Sequence, residues 1–66
     1  MPKEMLFSIH QQIEEVMREI RLRNEVYPNL IAKRQMRQSV AGYHLARMRA
    51  VLRTLEELRD EKSGRP

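Results

Sequence analysis

The sequence has no cysteine and no tryptophan, and its 66 residues include only one phenylalanine and two tyrosines. The missing cysteines exclude a disulfide and a thiolate metal site, and so few aromatic rings leave little on which nucleic-acid bases can stack. No apolar run approaches the roughly 20 residues that cross a bilayer, and no signal-peptide core follows Met1. These absences predict a cytoplasmic protein without membrane association.

The residue patterns of catalysis are absent as well. There is no glycine-rich phosphate loop, no HExxH motif and no nucleophile beside a base. The adjacent glutamates at 14–15 and 56–57 would diverge by about 100° on a helix, and His10 and His44 are far apart in the sequence. We therefore predict no catalytic residue, no metal site and no cofactor, which is the pattern of a non-enzymatic protein.

Apolar residues recur in both halves of the chain at alternating intervals of three and four, the pattern of a helix that packs along one seam. In the first half the seam positions are Leu6, Ile9, Ile13, Val16, Ile20, Arg23, Tyr27 and Leu30. In the second half they are Ala41, His44, Met48, Val51, Leu55 and Leu58, with Leu45 and Leu52 widening the stripe. The pattern predicts one all-α domain over residues 1–66, a two-helix hairpin with helices over about 3–32 and 38–62.

Pro28 conflicts with the first helix, because a proline inside a helix removes a hydrogen bond and costs about 3 kcal/mol. Helix one either ends near Val26 or kinks at Pro28 and continues through Ile31. We favour the kink, since the apolar rhythm persists beyond the proline. Gln38 or Ser39 is expected to open helix two, with serine a good N-cap.

The connection from Lys33 to Arg37 is short, so the helices are expected to lie antiparallel. With the turn centred near residue 36, residues whose numbers sum to about 72 lie at the same level along the hairpin. This alignment predicts two ion pairs between the helices, Glu19 with Arg53 and Glu25 with Arg47.

Both apolar stripes are wider than a two-helix seam needs, which predicts that two hairpins pair into a four-helix bundle. The residues expected in the core and dimer contact are Ile9, Ile13, Val16, Ile20, Leu45, Met48, Leu52 and Leu55. Residues 18–53 carry nine basic and two acidic side chains, a net charge of +7, while the rest of the chain carries −3. This distribution favours hairpins that pair with the basic turn of one beside the acidic ends of the other.

Two polar residues occupy seam positions. His44 is expected at the level of Tyr27, where a buried contact between the two rings would fix the register of the helices; a metal ligand or a pH switch is the alternative. Arg23 is expected near Met48, where it either extends along the apolar surface or marks the kink at Pro28.

The outward side of helix two combines small residues with arginines, so a partner's backbone can approach closely and receive charge-assisted hydrogen bonds. The residues expected to bind a partner are Tyr43, Arg47, Arg49, Arg53, Gly42 and Ala46, with Arg34 and Arg37 of the turn secondary. The alternative is an ordinary solvated helix face, on which alanine is simply a good helix former.

Three segments resemble a class of short proteins encoded by bacteriophages and prophages. They are an R-x-x-V-Y-P segment (Arg23–Pro28), a basic connector containing Met36, and an M-x-A-[VI]-L-x-T-L segment (Met48–Leu55). The chain departs from that class in lacking the connector glycine that such proteins often have. The resemblance implies a small protein that binds and inhibits a bacterial host protein, such as a regulator or a motor.

The leading hypothesis is therefore a homodimeric hairpin that binds and modulates a host protein. The alternative is an RNA- or DNA-binding hairpin dimer that uses the basic turn and the arginines of helix two. A purely structural role in an assembly is a third possibility.

Overall fold

A computed structural model describes residues 6–62, which form two α-helices and no strand. Helix α1 spans Ile9–Ala32 and helix α2 spans Gln38–Lys62. A five-residue connection joins them, and they pack against each other as a helical hairpin. The all-α hairpin expected from the spacing of apolar residues is confirmed.

Helix α1 begins six residues later than predicted, because a capping box at Ser8 fixes its start. The Ser8 hydroxyl accepts the backbone N–H of Gln11 at 3.0 Å, and the Gln11 side chain accepts the backbone N–H of Ser8 at 2.9 Å. Two N–H groups that a helix end leaves without partners are satisfied in this way. Residues 6–8 are not helical, and the predicted first turn over residues 3–5 lies outside the described residues.

Helix α1 does not end at Pro28, which lies inside it. The helix continues to Ala32, as the persisting apolar rhythm indicated. The proline is exposed, and Leu30 and Ile31 beyond it are half-buried. Burial of these two side chains against α2 helps to offset the hydrogen bond that the proline removes.

Backbone hydrogen bonds from the turn satisfy the carbonyl groups at the end of α1. The N–H of Gln35 donates to the carbonyl of Leu30 at 2.8 Å, and the N–H of Arg34 donates to the carbonyl of Ile31 at 3.0 Å. This is a Schellman motif, whose turning residue takes the left-handed conformation. That residue is Arg34, with φ 60°, at a position that usually favours glycine.

Helix α2 has the predicted bounds, and Ser39 lies inside it, one residue after its first, Gln38. The carbonyl of Arg37 accepts the N–H groups of Val40 and Ala41 at 3.1 and 3.0 Å. Gly64, which suits the C-terminal cap of a helix, lies outside the described residues.

The core is a single narrow seam. Ile13, Ile20 and Ala41 are no more than 9% exposed. Of the eight residues predicted for the core, the two isoleucines at 13 and 20 are buried and the others are half-buried: Ile9, Val16, Leu45, Met48, Leu52 and Leu55.

The seam of α2 is rotated from its predicted position. His44, Val51 and Leu58 are exposed, whereas Leu45 and Leu52, expected at the edge of the stripe, face α1 more closely and are half-buried. The seam follows Ala41, Leu45, Met48, Leu52, Leu55 and Arg59, which keeps the alternation of four and three residues in a different phase. Two phases of apolar residues coexist on this helix, and the sequence alone favoured the wrong one.

The hairpin is a single layer of helices. Its principal extents are 46 × 34 × 16 Å and its radius of gyration is 15.4 Å, against about 11 Å for a compact domain of this length. Both broad faces of the layer are therefore open to contact with other molecules.

Candidate macromolecule-binding surface

The two broad faces of the hairpin follow from the seam. A residue directly before or after a seam residue lies about 100° to one side of it or the other. Because the helices run antiparallel, the residues before the seam share one broad face and those after it share the opposite face. The two faces differ sharply in chemistry.

The face formed by residues before the seam carries exposed apolar side chains along α2 and at the turn end of α1, beside the polar residues Gln12, Glu15, Glu19 and Arg47. We call it the apolar face and define it by Val26, Val40, Val51 and Leu58, whose side chains are between 39% and 47% exposed. Val51 also lines an open groove together with Val16 and Leu55 of the seam edge. Large apolar side chains exposed in a row, at levels along the whole hairpin, mark a contact surface.

The opposite side of α2 carries residues that directly follow the seam. We call them the basic stripe: Gly42, Ala46, Arg49 and Arg53, all exposed. They recur at intervals of four, three and four, so they lie along one line of the helix surface. Neither arginine of the stripe forms an ion pair with another residue in the described range 6–62.

Gly42 has open space around it. A Cβ added there would meet nothing within 4 Å. Glycine inside a helix destabilises it by about 1 kcal/mol relative to alanine, and nothing within the hairpin requires the small residue. At Gly42 the surface of the helix is therefore open, and another molecule can approach the helix backbone.

Tyr43 and Arg47 form a pair on the outward side of α2. The guanidinium of Arg47 lies 5.3 Å from the centre of the Tyr43 ring, and it donates a hydrogen bond of 3.4 Å to the tyrosine hydroxyl. The structure brings these two predicted residues together, while the stripe arginines lie around the helix from them. The predicted partner-binding residues are thus exposed but divided between two flanks.

The turn concentrates positive charge at one end of the hairpin. Lys33, Arg34 and Arg37 are exposed, and none of them has an ion-pair partner among residues 6–62. A small pocket is lined by Arg34 and Arg37 with their neighbours in the turn. Arg34 holds its left-handed conformation at a cost of roughly 1–2 kcal/mol that a glycine would avoid.

Helix α1 pairs two of its three arginines internally, while its exposed Arg21 has no ion pair within residues 6–62. Arg18 donates to the carboxylates of Glu15 and Glu19, and Arg23 donates to Glu19. The hydrogen bond from Arg18, with its charge, holds the pKa of Glu15 below the ordinary value of 4.5. The hydrogen bonds that Arg18 donates to Glu15 and Arg23 donates to Glu19 raise the pKa values of these two arginines.

Two predicted contacts between the helices are wrong. His44 is exposed and packs edge-on against Tyr43, with ring centres 5.6 Å apart, so it makes no buried contact with Tyr27. The rotated seam of α2 carries its ring out of the interface.

The predicted ion pairs of Glu19 with Arg53 and of Glu25 with Arg47 are also absent within residues 6–62. Glu19 pairs instead with Arg18 and Arg23 of its own helix. An intrahelical pair three or four residues apart needs no interhelical register and forms more readily.

Within the described part of the chain, no group of three or more histidine and acidic side chains is placed to hold a metal ion. Neither α1 nor α2 combines the length and apolar character that a membrane span requires. The exposed surface of the described residues includes the apolar face, the basic stripe and the basic turn.

Sequence reasoning missed the apolar face. Val26, Val40, Val51 and Leu58 were either assigned to the seam or left without a role. A signal was present, because each directly precedes a residue of the observed seam. Comparison with known proteins adds no further assignment: no family model, curated protein or solved structure matches this chain.

Proposed function

We propose that this protein is a non-enzymatic binding protein that works as a pair of hairpins and docks an acidic surface of another protein. The basic stripe and the basic turn form the docking surface. The resemblance to short phage and prophage proteins suggests the partner class, a regulator or motor protein in the cytoplasm of a bacterial host.

The distribution of paired and unpaired charge carries this proposal. Helix α1 pairs its arginines 18 and 23 with glutamates of the same helix. Arg49 and Arg53 of the stripe, with Arg34 and Arg37 of the turn, are exposed and have no ion pair within residues 6–62. Arginines that stay available can form charge-assisted, bidentate hydrogen bonds with carboxylates of a partner.

Two locally unfavourable residues support the same surface. Gly42 weakens α2 although the space beside it is empty, and Arg34 occupies a left-handed position. Neither residue improves the stability of the hairpin itself. Both are explained if a partner approaches the backbone at Gly42 and receives the charge of Arg34.

A second candidate function, nucleic-acid binding, uses the same arginines as phosphate contacts. Arg49 and Arg53 lie about one turn apart, roughly 6 Å along the axis. The shortage of aromatic rings argues against base stacking, so such binding would depend on charge and weaken steeply with salt.

Capture from bacterial lysate tests the leading proposal with a charge-matched pair of variants. Arg49→Glu reverses a charge of the basic stripe, and Arg18→Glu makes the same change in net charge on α1. We expect Arg18→Glu to capture as much of the partner as the wild type does. The amount captured by Arg49→Glu should be at least tenfold lower. A partner retained equally by both variants would show that the stripe is not the docking surface.

Nuclease treatment and mobility shift separate the two candidates. Capture that survives nuclease, with no shift of mixed DNA and RNA at low salt, supports a protein partner. Capture that nuclease abolishes, with a shift that disappears as salt rises, supports nucleic-acid binding instead.

A further inference from the structure

We propose that the apolar face is covered by a second copy of this chain, stacked face to face and antiparallel, so that α2 of one hairpin lies over α2 of the other. The inference rests on the pair of hairpins in the proposed function and names the surface that joins them. The basic stripe then stays on the outside of the assembly.

The accessible surface of the hairpin is larger than that of a compact monomer of the same mass. Its accessible surface is 5613 Å², about a quarter more than the roughly 4,450 Å² expected of a compact monomer of this mass. The excess is larger than the roughly 800 Å² that each partner contributes to a standard stable interface. One apolar face buried by a second copy accounts for it.

The charges at the two ends of the hairpin favour antiparallel over parallel stacking. The turn end carries Lys33, Arg34 and Arg37, all exposed. The opposite end carries the glutamates at 14–15 and the acidic residues of 56–61, which outnumber the bases there. Parallel stacking would bring like charges together, whereas antiparallel stacking places each basic turn over the acidic end of the other copy.

The apolar residues are also self-complementary in that direction. Helix α1 ends at residue 32 and α2 begins at 38, so residues whose numbers sum to about 70 lie at the same level. Val51 is then close to the middle of the hairpin, with Val40 and Leu58 near its two ends. A two-fold axis across the middle brings Val51 close to its own copy and Val40 to within about one helical turn of Leu58 of the other chain.

The alternative direction matches less well. In parallel stacking α2 lies over α1 of the second copy, so Val51 meets Glu19 and Leu58 meets Gln12. These contacts place apolar side chains on polar ones. The antiparallel arrangement also brings Glu19 over its own copy, and the ion pairs of Glu19 with Arg18 and Arg23 of the same helix balance that charge.

The absence of cysteine makes thiol cross-linking a clean test in the full chain. Val51→Cys is treated with a short bismaleimide at micromolar concentration, beside Arg49→Cys on the basic stripe. We expect a covalent dimer from Val51→Cys and at least tenfold less from Arg49→Cys. Equal yields from both, or a higher yield from Arg49→Cys, would overturn the assignment of the face.

A mixture of two variants tests the direction. Val40→Cys and Leu58→Cys are expected to cross-link to each other when mixed and poorly when treated alone. Efficient cross-linking of Val40→Cys with itself would overturn the antiparallel arrangement. If every cross-link fails while capture still depends on Arg49, the dimer face is wrong and the proposed function stands.

Discussion

Helix α1 and helix α2 are nearly equal in length. They differ in how many of their helix-end backbone groups and charged side chains find partners within the same helix. Helix α1 closes its start with Ser8 and Gln11, closes its end with a Schellman motif, and pairs Arg18 and Arg23 internally. Helix α2 contains Gly42, a residue that no contact within the hairpin requires. It also exposes Arg49 and Arg53, which have no ion pair within residues 6–62. The difference supports the proposal that α2 presents the docking surface and α1 serves as its scaffold.

The largest expected effect concerns the buried seam on α1. Ile20→Ala should lower the free energy of unfolding by about 2–5 kcal/mol, because it removes a buried side chain and leaves a cavity. Chemical denaturation followed by circular dichroism measures it. Met17→Ala on the exposed flank of the same helix is the control, expected within about 0.5 kcal/mol of the wild type. A similar loss in both variants would contradict the assigned seam.

The two serines near the helix starts should respond in opposite directions. Ser8→Ala removes the capping box and should destabilise the protein by about 1 kcal/mol. Ser39→Ala, inside α2, should stabilise it by a few tenths of a kcal/mol, since alanine is the better helix former. The same denaturation experiment measures both, and a loss at Ser39 as large as that at Ser8 would make the two helix starts alike.

Gly42→Ala should separate stability from binding. The added methyl group has open space and should raise the free energy of unfolding by about 1 kcal/mol. Capture of the partner should fall at the same time, because the methyl group fills the place where a backbone approaches. The control is Ala50→Gly, the opposite substitution on another flank of α2. It should destabilise the helix without lowering capture of the partner. Full capture by Gly42→Ala would show that the glycine has no role in binding.

The smallest effect is the pH dependence of the ion pairs on α1. Arg18 lowers the pKa of Glu15 below its ordinary value of 4.5, so this carboxylate stabilises the folded state above that value. The stabilisation is lost as the pH falls below about 4.5 toward the lowered pKa. Carboxyl chemical shifts measured through a pH titration should show Glu15 titrating at a higher pH in Arg18→Gln. An unchanged titration would mean that Arg18 does not contact Glu15 in solution.

The contrast between the helices also shows what could be read from the sequence. The seam of α1 was predictable because its apolar residues follow one phase from Ile9 to Leu30. Its start was readable as well, since Ser8 and Gln11 have the spacing of a capping box, but the apolar pattern before Ser8 suggested an earlier start. Pro28 was correctly placed within the helix by the residues that follow it.

The seam of α2 was not predictable in the same way. Two apolar series run along the helix, one through Leu45 and Leu52 and one through Val51 and Leu58. Only the packing against α1 decides between them, and it buries the first and exposes the second. The ion-pair partners of Glu19 likewise depend on which arginines are within reach. Arg18 and Arg23 of its own helix pair with it, and Arg53 of α2 does not. The residues predicted to bind a partner are exposed, as expected, but their division between two flanks required the structure.

Completion of the two-helix layer by a second copy of the chain is the central proposal. The direct measurement is the solution mass of the wild-type chain by sedimentation equilibrium at micromolar concentration, beside Val51→Glu. We expect twice the chain mass of 8.0 kDa for the wild type and a single-chain mass for Val51→Glu, with helical circular dichroism retained. A wild-type mass of 8.0 kDa would contradict the pairing, and a dimer of Val51→Glu as tight as the wild type would contradict the face assigned to it.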